Sequence, residues 1–230
     1  MPETSLRVLI VGGGIGGITA ALALRQCGID AIILEQARAF TQVGAGIQLS
    51  ANATRVLRRL GLGEPLARVS AYPEARDYRA WDTAERLYLT PLGERAEARF
   101  GAPYYHAHRA DLLDVLLGGL GETGFRPGAR VEGVDEAGNG VSARLADSTS
   151  VAGDVLVGPV PVAVAGVRAG LAALAPGGAA HGVGVCGHQG VDERGQHLAQ
   201  QVRTCLGQLL VQELGRVDNR GRGHRVIHLL

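Results

Sequence analysis

Five glycines fall within six positions at residues 12–17, in the stretch GGGIGG. Among them, Gly12, Gly14 and Gly17 match the spacing G-x-G-x-x-G. In a turn that opens a helix, the first glycine permits the turn, the second lets backbone approach a pyrophosphate, and the third lets the helix pack closely on a strand. The N–H groups and the dipole at the helix start favour phosphate. The spacing therefore predicts a dinucleotide site.

An acidic residue stands where a bound dinucleotide needs one. Glu35 follows the apolar run of residues 31–34 and lies about 20 residues beyond the glycines, the spacing at which an acid accepts hydrogen bonds from the ribose. Its charge would repel a 2′-phosphate, which disfavours NADP at this site. The glycines and Glu35 recognise the ADP half that FAD and NAD share, so these residues alone leave both cofactors open.

A strand–helix–strand unit is needed to bring these residues together. Residues 6–11 are β-branched and apolar, as in a strand buried on both faces, and residues 15–26 are rich in alanine and leucine, as in a helix. Residues 31–34 predict the second strand. Such connections are right-handed and join parallel strands. The sequence therefore predicts an α/β fold with a Rossmann-like parallel sheet.

Further elements are predicted up to residue 158. Apolar spacing predicts helices over residues 50–60 and 109–120. A glycine-bearing turn between apolar runs predicts a hairpin over residues 130–145, and residues 155–157 predict another buried strand. Proline, glycine and scattered aromatics in residues 72–105 predict strands and loops, which form a small inserted β portion.

Composition restricts the partners and the compartment. The chain has 230 residues, a net charge of +1 and no lysine, so no basic stripe favours nucleic acid or an anionic membrane. The first residues lack a charged leader and the apolar stretch behind them is broken by glycines, so we expect neither a signal peptide nor a membrane span. Cys27, Cys186 and Cys205 have no CxxC spacing and form no even disulfide framework. That pattern favours the reducing cytoplasm.

Four longer motifs carry a family resemblance. They are VLIVGGGIGGITAALAL, ILEQ, VGAGIQLSANATRVLRRLGL and YYHAHRADLLDVLL. Residues 6–157 resemble the N-terminal part of the flavin-dependent aromatic-ring monooxygenases, the group of salicylate hydroxylase and 6-hydroxynicotinate monooxygenase. The resemblance implies FAD as cofactor, NADH or NADPH as transient reductant, and a small aromatic substrate that is hydroxylated with O2.

The resemblance also implies roles for individual residues. The FAD pyrophosphate would lie against Gly12, Gly14, Gly16 and Gly17. Glu35 would hold the adenosine ribose with Gln36 beside it, and Arg109 would contact the cofactor as a cation. Gly46 would let the backbone pass close to FAD. Gln48 falls where some relatives carry an active-site histidine, so it is the candidate catalytic residue; no histidine spacing predicts a metal site.

The resemblance stops near Gly158. Family members continue there with Ala-Asp-Gly, whereas this chain has Val160 and Pro161 at the aspartate and glycine positions. We therefore expect an FAD-binding domain over residues 1–158, with a partial substrate-side segment at about 72–107, and an atypical, partly disordered tail rich in Ala, Gly and Val over residues 159–230.

Two explanations fit this ending. The reading frame is truncated or scrambled near Gly158, or the chain is a divergent module whose amphipathic helix near residues 196–214 packs on the sheet or joins a second chain in a homodimer. Three functions follow: an incomplete FAD-dependent monooxygenase, an FAD- or nucleotide-binding module without catalysis, and an NAD-dependent dehydrogenase. The last leaves the motifs VGAGIQL and HRADL unexplained.

Overall fold

The computed structural model describes residues 6–40, 45–121, 124–137, 140–159 and 183–186, together with Gln201, Thr204 and Cys205. The chain divides into two compact units. The first unit consists of Met1–Thr41 and Leu120–Leu230, and the second of Gln42–Gly119. The tail helix predicted near residues 196–214 falls almost entirely outside the described residues.

A five-stranded sheet forms the centre of the first unit. Its strands are β1 (Arg7–Val11), β2 (Asp30–Glu35), β8 (Phe125–Pro127), β12 (Val155–Pro159) and β13 (Val183–Cys186). They are hydrogen-bonded in the order β13-β12-β1-β2-β8. Strands β12, β1, β2 and β8 run parallel, and β13 pairs antiparallel with β12. Helix α1 (Ile15–Gln26) connects β1 to β2 and packs against both. The predicted Rossmann-like parallel sheet is therefore confirmed.

An antiparallel sheet of three strands completes the first unit. It contains β9 (Val131–Ala137), β10 (Gly140–Leu145) and β11 (Ser150–Gly153), with β10 in the middle. Alternate residues of these strands enter one hydrophobic core with the parallel sheet, which includes Leu9, Leu34, Val134, Val141, Ala143, Leu145 and Leu156. The predicted hairpin is present, and it closes the apolar face that the parallel strands present.

The second unit contains two small sheets. In one, β7 (Tyr105–His108) lies between β3 (Gly46–Leu49) and β4 (Ser70–Ala71), and all pairs are antiparallel. The other is a hairpin of β5 (Ala75–Arg79) and β6 (Arg86–Pro91). Every residue of β6 is exposed. Strands are thus present in the predicted inserted β portion: β5 and β6 form a hairpin of their own, and β7 pairs with strands from outside the predicted range.

Four helices accompany these sheets: α2 (Ala51–Arg59), α3 (Gly63–Val69), α4 (Gly93–Phe100) and α5 (Arg109–Leu120). The predictions of α2 and α5 are confirmed. The strands and loops predicted for residues 72–105 were incomplete, because α4 lies among them. It ends at Gly101, whose φ of 74° is left-handed and stops the helix.

A charged network joins the helices of the second unit. Arg58 Nη2 donates to Glu97 Oε1 at 2.7 Å, and the hydroxyl of Tyr72 donates to Glu97 Oε2 at 3.0 Å. The hydrogen bond from Arg58 holds the pKa of Glu97 below its usual value. Partial burial and the hydrogen bond to Glu97 raise the pKa of Tyr72 to about 12. Glu97 is therefore charged and Tyr72 neutral near pH 7.

Two of the three cysteines are paired, contrary to the expectation drawn from their odd number. Cys27, which caps the C-terminus of α1, forms a disulfide with Cys205, and their Cα atoms lie 6.5 Å apart. The cysteine count was misleading because an odd total still allows one pair. Spacing gave no signal for it, since the partners are 178 residues apart in sequence.

Candidate functional site

The glycine-rich turn connects β1 directly to α1. Gly12 has a φ of 97°, which favours glycine, and its N–H donates to the carbonyl of Leu34 at 2.8 Å. This bond ties the turn to the end of β2. Gly14 caps the helix in an extended conformation and its carbonyl accepts the N–H of Ile18 at 3.0 Å. The turn therefore presents the N-terminus of α1 at the carboxyl end of the parallel sheet.

Glycines in this turn serve two different purposes. A Cβ added to Gly17 would lie 1.9 Å from the carbonyl oxygen of Gly12, and one added to Gly13 would lie 2.7 Å from the ring of Phe125. These two positions are closed by protein packing. A Cβ on Gly12 or Gly14 would meet nothing within 4 Å. The space beside Gly12 and Gly14 is thus open to a ligand.

The carboxylate of Glu35 is held against this turn. Its Oε2 accepts the N–H of Gly13 at 2.6 Å, and its Oε1 accepts the N–H of Ala37 at 2.8 Å. A carboxylate has about four lone-pair positions, so both oxygens retain capacity to accept a ribose hydroxyl. The structure therefore brings the glycines and Glu35 together, while Gln36 follows them on an exposed position.

These observations show that the residues fit the ADP half of FAD. The open space beside two glycines admits a pyrophosphate, the start of α1 supplies N–H groups, and Glu35 supplies acceptors for the ribose. The ring of Phe125 lies next to Gly13 of the turn and packs against the ring of Phe40, with the two centroids 5.6 Å apart. Gly16 lies in the first turn of α1.

The remaining predicted residues lie in the second unit. Gly46 and Gln48 belong to β3, and Arg109 is the first residue of α5. Gly46 pairs with His108 in the sheet, and the N–H of Arg109 donates to the carbonyl of Ala45 at 3.2 Å. The structure therefore places Arg109 beside the start of β3, as one group with Gly46.

Gln48 belongs to a polar cluster that sequence reasoning missed. Its Oε1 accepts the hydroxyl of Tyr104 at 2.7 Å and Nη2 of Arg76 at 3.1 Å. Arg76 also donates to the hydroxyl of Tyr104 at 2.5 Å and, through Nη1, to that of Tyr78 at 3.1 Å. We call these four residues the Arg76 cluster. A weak signal existed, because Arg76 and Tyr78 are two residues apart and so would share one face of any strand formed there.

The hydrogen-bond partners of Arg76 are uncharged, whereas those of the next residue, Asp77, are charged. Its pKa is raised above the usual value, chiefly by the hydrogen bond to Tyr78. Asp77, the next residue, forms salt bridges with Arg79 at 2.8 Å and Arg86 at 3.1 Å. The hydrogen bonds from Arg86 and Arg79 lower the pKa of Asp77. The acid next to Arg76 is thus already paired with two other arginines.

In the part of the chain that the structure describes, no three or more histidine, cysteine, aspartate or glutamate side chains are grouped as metal ligands would be. No helix in the same described ranges reaches the length and apolar character of a membrane span.

Comparisons with known proteins match the same part of the chain. The family model described as FAD binding domain matches residues 5–158. Among curated proteins, 3-amino-4-hydroxybenzoate 2-monooxygenase PtmB3 of Streptomyces platensis is 42% identical over 152 residues, which are 66% of this chain and 38% of that protein. The 6-hydroxynicotinate 3-monooxygenase of Pseudomonas fluorescens is 35% identical over 155 residues, covering 67% of this chain and 40% of that protein.

A solved structure agrees with these matches. HpxO of Klebsiella pneumoniae, crystallised with FAD and uric acid, superimposes with a TM-score of 0.61 and 28% sequence identity, covering 66% of this chain and 38% of that one. The chain thus spans about two fifths of the length of the relatives it matches.

Proposed function

Because this chain belongs to the family of FAD-binding domains that these aromatic monooxygenases share, we propose that it holds the FAD of an enzyme that hydroxylates a small aromatic ring. The observation that carries the proposal is the open space beside Gly12 and Gly14, next to a carboxylate anchored on Gly13. A pyrophosphate and a ribose fit that arrangement.

Each predicted contact has a physical role in this proposal. Gly12 and Gly14 admit the pyrophosphate, and the N–H groups around Gly16 and Gly17 at the start of α1 favour its charge. Glu35 binds the ribose, with Gln36 beside it. From the family resemblance we also propose that Gly46 contacts FAD by close backbone approach and Arg109 by its charge.

The proposed reaction consumes one O2, one NADH or NADPH and one proton for each ring hydroxylated. One oxygen atom enters the ring, the other leaves as water, and the nicotinamide is oxidised. When bound, FAD supplies the electron transfer from the nicotinamide to oxygen. The protein orients the ring and excludes water. We assign Gln48 to the substrate side, where its amide oxygen already accepts two hydrogen bonds and orients Arg76 and Tyr104.

The substrate class rests on the relatives. Those matched act, by their names, on 3-amino-4-hydroxybenzoate and 6-hydroxynicotinate. We propose a ring of similar size with a hydroxyl or carboxyl substituent. We further propose that residues 1–158 are the FAD-binding domain and that residues 159–230 are an atypical tail, a division supported by the end of the family match at residue 158.

A second function is favoured by the residues that follow Gly158. Val160 and Pro161 stand at the aspartate and glycine positions of the family pattern, so a module that binds FAD without hydroxylating anything is the alternative. Purified protein reconstituted with FAD separates the two. Yellow protein in which NADPH or NADH oxidation rises on adding 3-amino-4-hydroxybenzoate supports the monooxygenase. Yellow protein without that stimulation supports the module, and preferential binding of NAD over FAD would support a dehydrogenase instead.

Compartment and assembly complete the proposal. We propose a cytoplasmic location and a homodimer, without nucleic acid or membrane as partner. The low net charge supports the absence of an electrostatic attraction to either. Sedimentation of the full chain tests the dimer. Disulfides such as Cys27–Cys205 are rare in the cytoplasm, so the redox state of these two cysteines in cells tests the proposed location directly.

A further inference from the structure

The guanidinium of Arg76 is surrounded by neutral oxygens. Its three hydrogen bonds go to Tyr78, Gln48 and Tyr104. Among the residues that the structure describes, no carboxylate lies within salt-bridge distance of it. A guanidinium carries five N–H donors, so two of them lack a protein partner in the described chain. Arg76 therefore has both charge and hydrogen-bonding capacity to offer to an anion.

Strand geometry keeps the neighbouring acid away from this group. Successive side chains of a strand point to opposite faces, so Arg76 and Tyr78 share one face of β5 and Asp77 lies on the other. There Asp77 is held by Arg79 and Arg86. One face of β5 therefore carries the paired Asp77, and the other carries Arg76, whose positive charge has no carboxylate partner among the described residues.

Aromatic rings surround the charge. The guanidinium carbon of Arg76 lies 5.5 Å from the centroid of Tyr104 and 6.0 Å from that of Tyr78. Tyr78 stacks on Tyr88 at 4.0 Å, and Tyr88 remains 55% exposed. The rings of His106 and Tyr104 form an edge-to-face pair with their centroids 5.5 Å apart. Tyr104 is buried and Tyr78 is half-buried, so these rings fix the position of the guanidinium, and aromatic rings next to a guanidinium match a flat ring that carries an anionic substituent.

We propose that Arg76, positioned by Gln48 and Tyr104, recognises the carboxylate of an aromatic acid and so determines which ring the enzyme accepts. The inference rests on the proposed function, since it assigns this cluster to the substrate of that reaction. A carboxylate forms charge-assisted hydrogen bonds with the free guanidinium N–H groups, and Tyr104 and Gln48 hold the planar group in place. A neutral ring would leave the charge of Arg76 unpaired.

Ligand-observed NMR titration of the full chain measures this directly. The probes are 4-hydroxybenzoate and its neutral analogue 4-hydroxybenzamide. We expect the carboxylate to bind at least about tenfold more tightly than the amide, the factor that corresponds to one charge-assisted hydrogen bond. Equal affinities, or no binding of 4-hydroxybenzoate, would overturn the proposal. Inorganic phosphate that competes as strongly as 4-hydroxybenzoate would also overturn it, because the ring would then not be recognised.

Variants locate the effect on Arg76. Arg76→Gln should weaken 4-hydroxybenzoate by about tenfold and leave 4-hydroxybenzamide unchanged. Arg79→Gln is the matched control, on the same strand but paired with Asp77, and should bind both probes as the unaltered chain does. Arg76→Lys keeps the charge and should retain most of the preference, which covers the case in which Arg76→Gln fails to fold by circular dichroism. Unchanged preference in Arg76→Gln contradicts the assignment.

Flavin binding is recorded separately from its absorbance. Chain that binds 4-hydroxybenzoate through Arg76 but takes up no FAD would contradict the proposed function and leave the Arg76 assignment standing. Chain that takes up FAD but shows no carboxylate preference would contradict only the Arg76 assignment.

Discussion

The backbone of Gly17 lies against the carbonyl of Gly12, so close that an added Cβ would be 1.9 Å from that oxygen. The contact packs Gly17, in the first turn of α1, against Gly12, the first residue of the motif, and so holds α1 at the end of β1. It explains why the third glycine of the spacing is required for packing, whereas the first two leave space for a ligand.

Substitution of these glycines should separate stability from cofactor binding. Gly17→Ala should lower the free energy of unfolding by about 1–3 kcal/mol, because the backbone must move to admit the methyl group. Gly14→Ala should cost no more than about 1 kcal/mol, since its Cβ meets open space, yet it should weaken FAD by blocking the pyrophosphate. Denaturant titrations with and without FAD measure both. Equal losses of stability in the two variants would contradict this division.

Glu35→Gln should weaken FAD by about tenfold or more, because the amide replaces one of two charged acceptors and the turn loses the bond to Gly13 or Ala37. Flavin fluorescence titration gives the dissociation constant. Glu132→Gln, on an exposed position of β9, is the control and should bind FAD normally. A Glu35→Gln protein with unaltered affinity would remove the ribose contact from the proposal.

Arg109→Gln should weaken FAD without affecting folding. The side chain is exposed at the start of α5, so its replacement should change the free energy of unfolding by no more than about 0.5 kcal/mol. Its charge is assigned to the cofactor, and we expect affinity to fall about tenfold. Arg95→Gln, an exposed arginine in α4, should change neither quantity. If both variants bind FAD equally, then Arg109 does not contact the cofactor.

The contribution of Glu97 to the free energy of unfolding should depend on pH. Folding lowers the pKa of Glu97, so its stabilisation is present above the usual value of 4.5 and is lost as pH falls through the lower folded-state value. Arg58 and Glu97 are 44% and 35% exposed, so Glu97→Gln should cost no more than about 1 kcal/mol at pH 7. The difference between variant and parent should shrink below pH 4.5. Glu64→Gln, in a more exposed pair with Arg68, should show a smaller effect; a constant difference across pH would refute the assignment.

The disulfide predicts a response to reductant. Cys27→Ser should lower the free energy of unfolding of oxidised protein by about 2–4 kcal/mol, because the bond restricts the unfolded chain. Dithiothreitol should lower the stability of the parent by the same amount and leave Cys27→Ser unaffected. Cys186→Ser serves as the control. Alkylation of thiols in freshly lysed cells shows whether Cys27 is reduced there, as the proposed cytoplasmic location requires.

The sequence predicts elements that depend on near neighbours better than contacts that depend on topology. The helix over residues 15–26, the turn before it and the strand that ends at Glu35 follow from local spacing, and the structure contains all three. The Arg76 cluster does not follow from such spacing. Gln48 is 28 residues from Arg76 and 56 from Tyr104, so their meeting depends on how β3, β5 and β7 are placed.

The short helices α3 and α4 were also not predicted from the sequence. In α3 and α4, seven and eight residues give too few turns for an apolar period to be distinguished from a loop. Their ends carry the better signal, such as Gly101 after α4. The disulfide could not be predicted for a different reason, since only the folded chain brings residues 27 and 205 together.

The exposed hairpin of β5 and β6 has a consequence for colloidal behaviour. Leu87, Tyr88 and Leu89 are 64%, 55% and 45% exposed along β6, and Trp81 at the hairpin turn is 97% exposed. Apolar strands with an open backbone edge are templates for edge-to-edge association between molecules. We therefore expect this hairpin to limit the solubility of the isolated chain, with self-association through it growing as protein concentration rises.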